Sequence, residues 1–557
     1  MSEPDPPAVG DGGTAVASTP ATVASPWMPL RIKVFRALWL AQLASMIGTW
    51  MQTVGAQWLL VGRPNAATLV ALVQTAAMSP VFLLALPAGV LADVLDRRRL
   101  LVAVQLAMVA VGAVLTALTV ADQMTPALLL AFTFLLGCGA TLTMPAWQAL
   151  IPELVPRAAL PAASALGGIS MNLARAIGPA LAGLLIARVG VAAVFALNAA
   201  SFAALAVVLA AWRPPPGDDT DDQSEPFASA LRAGGRYVRY APVVRRILLR
   251  SLLFVVPGSV VWALLALVAN QRLGLGAGGY GLLLAALGIG AVAGAFALPA
   301  LRARTSTNGI LVLASLVYAA ALLVVALVGS ALVVAAVLVA AGAAWLAVLA
   351  SQNAAMQLFL PGWVRARGLA TYQVVFIGGQ GLAAFGWGVV AQRVGTSATF
   401  LVAAVVMLAG AATIRWWPLR DTEGLDRSRA MYWPEPHLEL DPESHDGPVR
   451  VTVTFRVAPE LVPQFLDAMT RVRRSRLRTG ATQWDLYQDG ADRRRFVETF
   501  VVPSWEEHLR QHRERLTGAD QAFQEQAIAL AESPPQVEHL LPAAPAPRHL
   551  KEQPPDP

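Results

Sequence analysis

One cysteine, two lysines and little charge of either sign define what this 557-residue chain cannot be. The lone Cys138 sits inside an apolar run, which excludes a disulfide scaffold and a cysteine-based metal site. Lysine occurs only at Lys33 and Lys551, and charged residues make up 14% of the chain. A soluble domain carries roughly 25%. The formal charge of +7 is not a basic stripe, because the arginines fall in short clusters between apolar runs. That pattern excludes nucleic acid as a partner and is the mark of membrane topology. Residues 1–29 offer Pro, Ala, Ser, Thr and acidic residues but no apolar core. They are expected to be a disordered tail without a cleavable signal peptide.

What is abundant is apolar surface, at 56% of residues. From about residue 36, apolar runs of about 20 residues follow one another, the length that crosses about 30 Å of hydrocarbon. They predict helices over 36–61, 66–92, 99–121, 126–151, 160–188 and 191–213. A second set covers 246–271, 278–301, 309–329, 331–359, 367–392 and 396–416. The expected fold is therefore a polytopic α-helical membrane protein. Twelve transmembrane helices form two six-helix bundles, 30–213 and 246–417. The spacer 214–245 opens with three prolines and an acidic run, turns basic, and must stay out of the bilayer. Arginines gather in alternate loops, at 97–99, 157, 302, 304, 365 and 367, so those loops and both termini are expected in the cytoplasm.

After Trp417 the chain turns polar. Residues 418–447 read as a linker. Over 448–541 the period changes: Val449, Val451, Val453 and Phe455 share one parity, as a half-buried strand requires. A helix at 459–475, strands at 482–488 and 495–502, helices at 505–516 and 520–531, and a strand at 536–541 follow. That order predicts a small ferredoxin-like α+β cytoplasmic domain. Residues 542–557 read as a disordered tail. His508 and His512 stand at i, i+4 on one predicted helix. Neither HExxH nor a third ligand accompanies them, so a solvated face is expected, and neither a metal nor a cofactor.

The stretch Gly89–Leu100, GVLADVLDRRRL, resembles the cytoplasmic loop signature of the major facilitator superfamily. The resemblance implies a conformational latch of Gly89, Asp93, Arg97 and Arg98, with Asp93 meeting the positive N-terminus of the eleventh helix. Val94 and Asp96 depart from that signature. In the fifth helix, NLARAIGPALAG (Asn172, Arg175, Gly178, Pro179, Gly183) is similar to the Gly-Pro motif of superfamily exporters, most of all the enterobactin-exporter group. Ala174, Gly178 and Ala182 form a small-residue face for close packing, and Gly178-Pro179 can kink the helix. The fourth helix ends, as in that group, at Glu153 and Arg157, which are spaced to pair across one turn. Residues 448–541 look like the dimeric α+β barrel of antibiotic-biosynthesis monooxygenases. That likeness carries no catalytic constellation and implies dimerisation, regulation or cargo capture.

Arg175 lies about 16 Å into its span at 1.5 Å per residue, near the midplane. An unpaired arginine there costs at least about 2.5 kcal/mol. No Asp, Glu or His falls within the predicted spans. Two kinds of partner remain: neutral groups (Asn172, Gln52, Gln380 or backbone carbonyls) or an anionic group of a substrate. Trp50, Gln52 and Gln380 join Arg175 as cavity candidates. The expected function is secondary transport of a small-molecule substrate across the bilayer by alternating access, as an exporter of an amphiphilic or anionic, drug-like or siderophore-like compound. The alternative is a membrane-tethered enzyme or sensor whose α+β domain carries the activity.

Overall fold

The computed structural model describes residues 27–213, 227–419, 426, 428, 430 and 442–543. The tails and most of the 418–447 linker named above lie outside the described residues. The first bundle comprises α1 (Lys33–Leu60), α2 (Ala66–Met78), α3 (Pro80–Val94), α4 (Arg97–Val120), α5 (Pro126–Leu154), α6 (Leu160–Arg188) and α7 (Val191–Ala211). An amphipathic helix follows, α8 (Phe227–Tyr240). The second bundle comprises α9 (Pro242–Leu267), α10 (Ala277–Arg304), α11 (Thr307–Leu327), α12 (Ala331–Phe359), α13 (Gly362–Val394) and α14 (Thr396–Ala412). Eleven helical spans among the described residues are long and apolar enough to cross a membrane, with α2 and α3 contributing to one of them. The 28-residue α1, packed against α6 and α7, completes the two sets of six.

The expected spans hold, with two differences. The second is broken at Ser79, where Pro80 opens a new helix because it has no N–H to give the preceding turn. The spacer contains α8, an amphipathic helix whose polar face leaves no continuous apolar run. Charged residues extend several helices beyond their apolar stretch. Asp96 caps α4 by accepting from the Arg99 N–H at 2.7 Å, which gives a local role to a residue that departs from the loop signature.

The two bundles meet along two seams. One joins α6 to α10, where backbones approach so closely that a Cβ on Gly183 would stand 2.7 Å from the Ala277 carbonyl oxygen. The other joins α2 and α3 to α13, where the Thr75 hydroxyl donates to the Gly381 carbonyl at 2.8 Å. Gln57 of α1 ties both bundles: its Nε2 donates to the Trp262 carbonyl at 2.9 Å, and Tyr280 donates to its Oε1. These contacts gather toward the end holding the α1–α2 and α9–α10 turns. Toward the other, arginine-rich end, a recess of about 400 Å³ lies beside Pro299, Arg302, Asn353 and Gln357. That recess lies between α10 and α12 of the second bundle, and on α6 a side chain at Gly167 or Gly168 would meet open space. These close inter-bundle contacts lie toward one end of the helical part.

The C-terminal unit comprises β1 (Val449–Arg456), α15 (Val462–Thr479), β2 (Gln483–Gln488), β3 (Arg495–Val502), α16 (Trp505–Arg510), a π-turn (Gln511–Arg515), α17 (Gly518–Ile528) and β4 (Gln536–Leu540). Its antiparallel sheet has the order β2-β3-β1-β4, the ferredoxin-like arrangement expected. Val451 pairs with Phe500 and Val453 with Val537. The expectation of a solvated histidine face is overturned. His508 and His512 are buried against the sheet, with ring centroids 4.7 Å apart, and His539 of β4 lies 5.0 Å from His508. The pattern i, i+4 marks a face without saying which way it turns. Among the described residues, no group of three His, Cys, Asp or Glu side chains is placed to hold a metal.

This unit docks on the helical part through α8 and the first turn of α13. Arg515 lies over the Trp363 ring at 5.1 Å, Trp363 meets Tyr237 edge-on at 5.6 Å, and Arg478 covers Tyr237 at 5.6 Å. Arg515 is bidentate to Glu507 at 2.8 and 3.0 Å, and Arg236 of α8 reaches the same carboxylate at 3.5 Å. Burial works against ionisation of Glu507, but the hydrogen bonds and charge of Arg515 hold its carboxyl below the usual range.

Two outcomes are expected. Gly281→Leu would force a side chain into the backbone of α6 near Gly183, and overpacking of this kind costs about 1–3 kcal/mol. Spin-label distances between the α6 and α10 ends at the closed seam should lengthen. The second concerns acid. Burial, with the charges of His539 and Arg476, pushes the His508 pKa down to about 3, and burial pushes His512 well down too. Both bind protons more readily when unfolded, so their stabilisation is complete above about pH 6.5 and is lost as pH falls below it. The loss is about 1.4 kcal/mol per pH unit for each. Hydrogen-exchange protection factors over residues 448–541 of the full-length protein, which remove the base-catalysed fall of the intrinsic rate, should drop between pH 7.5 and 5.5; unchanged protection factors would contradict the burial.

Candidate transport site

The site is built where α6, α1 and α9 converge. Ala174, Gly178 and Ala182 are buried on one face of α6. At Gly178 a Cβ would stand 2.6 Å from the Trp50 Cβ, so only glycine lets α1 lie this close. That approach brings Trp50 beside Arg175, less than one turn earlier on α6. The guanidinium lies 5.6 Å from the Trp50 ring centroid and 6.0 Å from that of Trp262 on α9. The two indoles are 5.6 Å apart at 46°. Arg175 is part-exposed as a residue, yet its Nε and Nη1 are buried with no hydrogen-bond acceptor. The Trp262 Nε1 is buried and unpartnered in the same way. Three buried donor nitrogens, two on Arg175 of the first bundle and one on the adjacent Trp262 of the second, thus lie at the seam with nothing to donate to.

Arg250 shows what a satisfied buried arginine looks like in this chain. It donates to the Gly410 carbonyl and the Thr413 hydroxyl at 3.0 and 2.9 Å, and twice to the Trp417 carbonyl at 3.1 and 2.7 Å. It closes the end of α14. Arg175 has no such set. Cation–π contact with two indoles offsets part of its desolvation, about 0.5–2 kcal/mol per ring, but leaves its donors unused.

None of the neutral side chains considered as partners reaches it. Asn172 donates to the Gly168 carbonyl of its own helix at 2.9 Å. The Gln52 Oε1 accepts from Asn198 of α7 at 3.1 Å. Gln380 is buried on α13, between Gly379, packed on α9, and Gly381, packed on α2. Pro179 and Gly183 belong to the α6–α10 seam, where the Pro179 carbonyl faces Gly281. Trp50 alone among the cavity candidates is brought to Arg175. Trp262 was not anticipated from the sequence, where a lone indole in the middle of an aliphatic span is its only mark.

The loop residues form a separate constellation at the arginine-rich end. Glu153 pairs with Arg97 at 2.5 Å and so ties α5 to α4, in place of the expected local pair with Arg157. A turn after Leu154 carries Arg157 off the helical spacing the local pair required. Arg98 donates to the Leu209 and Ala210 carbonyls at 2.9 and 2.5 Å, capping α7. Gly89 is in α3 with open space around it. The Asp93 side chain lies outside the described residues.

Two six-helix sets in close contact toward one end, with unspent donors where they meet, define a transporter rather than an enzyme. Residues 24–546 match the family model described as transmembrane secretion effector, and the chain belongs to this family of MFS-type, multi-pass membrane transporters. It is 28% identical over 142 residues to the staphyloferrin A transporter of Staphylococcus aureus (strain NCTC 8325 / PS 47), a match covering 25% of this chain and 36% of that protein. It is also 28% identical over 170 residues to an uncharacterized MFS-type transporter, YfiS, of Bacillus subtilis (strain 168), covering 30% and 40% respectively. The matches thus span about two fifths or less of the length of these relatives. Among solved structures, an inward-facing, occupied bacterial homolog of the human lysosomal transporter Spinster superposes with a TM-score of 0.57 at 14% identity. That match covers 70% of this chain and 97% of the other. The nucleoside transporter NupG gives 0.51 at 12%, covering 69% and 98%. These likenesses bear on fold alone.

The hydrogen bond between Gln52 and Asn198 makes a prediction. Asn198→Ala should cost about 1–3 kcal/mol of thermal stability by leaving Gln52 buried and unpaired, whereas Arg175→Gln should leave stability unchanged or raise it. Unfolding of the two purified variants, compared side by side, checks this.

Proposed function

We propose that this transporter exports a small amphiphilic or anionic compound, drug-like or siderophore-like, from the cytoplasm by alternating access. The observation that carries the reading is Arg175. A cation near the middle of the helical part, with no acidic partner and its donors unspent, is satisfied by an anionic group on the cargo. Trp50 supplies an apolar and aromatic wall, and Gln52 and Gln380 are further candidates for the lining. The name of the Staphylococcus aureus relative supports a siderophore-like cargo.

Orientation follows from charge, and the export direction from the resemblance to superfamily exporters. By the positive-inside rule both termini and the arginine-rich end face the cytoplasm of a plasma-membrane protein. Closure of that end brings Asp93 and Arg97 toward the N-terminus of α13, whose dipole favours the carboxylate. For an anion, an inside-negative potential assists export by about 2.3 kcal/mol per charge per 100 mV. Coupling is either potential-assisted or routed through residues at the helix ends such as Asp93 and Glu153. The sheet face turned away from α15 and α17 offers a surface on which two copies could dimerise.

Arg175→Ala should lower efflux of an anionic cargo at least about tenfold, the loss of one charge-assisted hydrogen bond or more. Arg175→Lys should keep part of it. The measurement is accumulation in cells expressing equal amounts of each variant; wild-type efflux by Arg175→Ala would sink the proposal. In inverted vesicles, collapsing the potential and the pH gradient separately assigns the coupling, and dependence on the pH gradient alone would discard the potential-assisted version.

A further inference from the structure

We infer that the cargo's anionic group is borne on a flat, conjugated ring system and is gripped from both bundles at once, by Arg175 of α6 and the Trp262 Nε1 of α9. This rests on the Arg175 reading and narrows it to a substrate class. Three observations lead there.

The first is the donor set. Arg175 Nε, Arg175 Nη1 and Trp262 Nε1 are buried without acceptors, and Trp262 itself is 5% exposed. A buried N–H left unmade costs about 1–3 kcal/mol, more when charged. The Arg175 guanidinium carbon lies 6.0 Å from the centroid of the Trp262 ring, on a helix of the other bundle, and a single acceptor with several lone pairs serves donors placed so. A carboxylate or another oxyanion has that form; a hydroxyl or an amide carbonyl has too few lone pairs for three donors.

The second is the wall. The acceptor must enter between or beside two indoles whose centroids are 5.6 Å apart. Behind Trp262 a buried aromatic cluster backs the ring within the second bundle: Trp345 lies 5.9 Å from it, and Phe376 lies 5.8 Å from Trp345. Phe254 and Tyr318 pack against the same Trp345. An aliphatic cargo needs only apolar area, which the many Leu and Val side chains of this chain already supply. Aromatic faces add a directional preference for flat partners, about 0.5–1.5 kcal/mol per pair beyond area.

The third is position. Trp50 is on α1, Arg175 on α6, and Trp262 on α9, so the wall and the donors straddle the seam. A ligand held by both bundles is the one whose binding differs between the two states of the transporter, which is what allows it to drive the change. Trp262 is thus a specificity-determining residue: its ring selects the flat body and its N–H shares the oxyanion.

The test uses the purified full-length protein in detergent and three probes: 2-naphthoate, its saturated counterpart decahydronaphthalene-2-carboxylate, and the neutral 2-naphthamide. Calorimetric titration of the wild type is expected to rank naphthoate at least about fivefold above each of the other two, consistent with one ring pair and one charge-assisted bond. Trp262→Phe keeps a ring and removes the donor; it should weaken naphthoate about three- to tenfold while the decahydro acid still binds more weakly. Arg175→Gln should erase the preference for naphthoate over the amide. Equal wild-type binding of the flat and saturated acids, or undiminished naphthoate binding by Trp262→Phe, overturns this inference and leaves Arg175 as an anion site. Equal binding of naphthoate and the amide by wild type, or no binding of either acid, overturns the Arg175 reading and this one with it. The wild-type ranking needs no variant, so a misfolded substitution cannot mask the outcome.

Discussion

A guanidinium held near the middle of a membrane-spanning bundle without an acceptor is the constraint around which this molecule is arranged. Lipid offers no hydrogen bonds, and a buried charge must find its partner inside the protein or in what the protein carries. The chain shows both solutions. Arg250 consumes the loose carbonyls at the end of α14 and becomes a structural clasp. Arg175 is instead walled by two indoles and left with donors to spare. The small residues of α6 serve that arrangement: they let α1 and α10 press against the helix, so that one arginine is at once at the seam and inside it.

The bundle architecture was legible because its signal is crude and strong. A run of about 20 apolar residues has few other uses, and the period change after Trp417 announced a sheet. The ferredoxin-like order could be read from the sequence of strands and helices alone. What escaped had a weaker physical signature. The amphipathic α8 carries its apolar residues on one stripe, so its mean composition looks like a linker. His508 and His512 share a face, but which way that face turns depends on the sheet it meets. Trp262 looks like any membrane tryptophan until a second bundle brings it against Arg175. Contacts between helices far apart in sequence, as with Arg97 and Glu153, are the hardest to read, because residue spacing speaks only of near neighbours in sequence.

Polarity inside the C-terminal unit follows a different logic from that of the bundles. Arg476 pairs with Glu498 at 3.2 Å and Arg478 with Asp520, both pairs buried in a domain of modest size. Such pairs add little net stability compared with apolar packing, but removing one partner is severe. They make the position of α15 over the sheet hard to change by degrees. A stiff unit of this kind transmits force instead of absorbing it.

That stiffness gives the docking of Arg515 on Trp363 a mechanical meaning. Trp363 is the second residue of α13, a helix that runs the full depth of the second bundle and forms one of the two seams. The sheet domain is therefore seated on the end of a rod whose other half rests against α2. A rigid body fixed at the tip of a pivoting rod works as a pointer. A tilt of a few degrees within the bundles, too small to notice there, sweeps the outer edge of the sheet through a larger arc, and the state of the membrane gate is written on a surface that soluble partners can read.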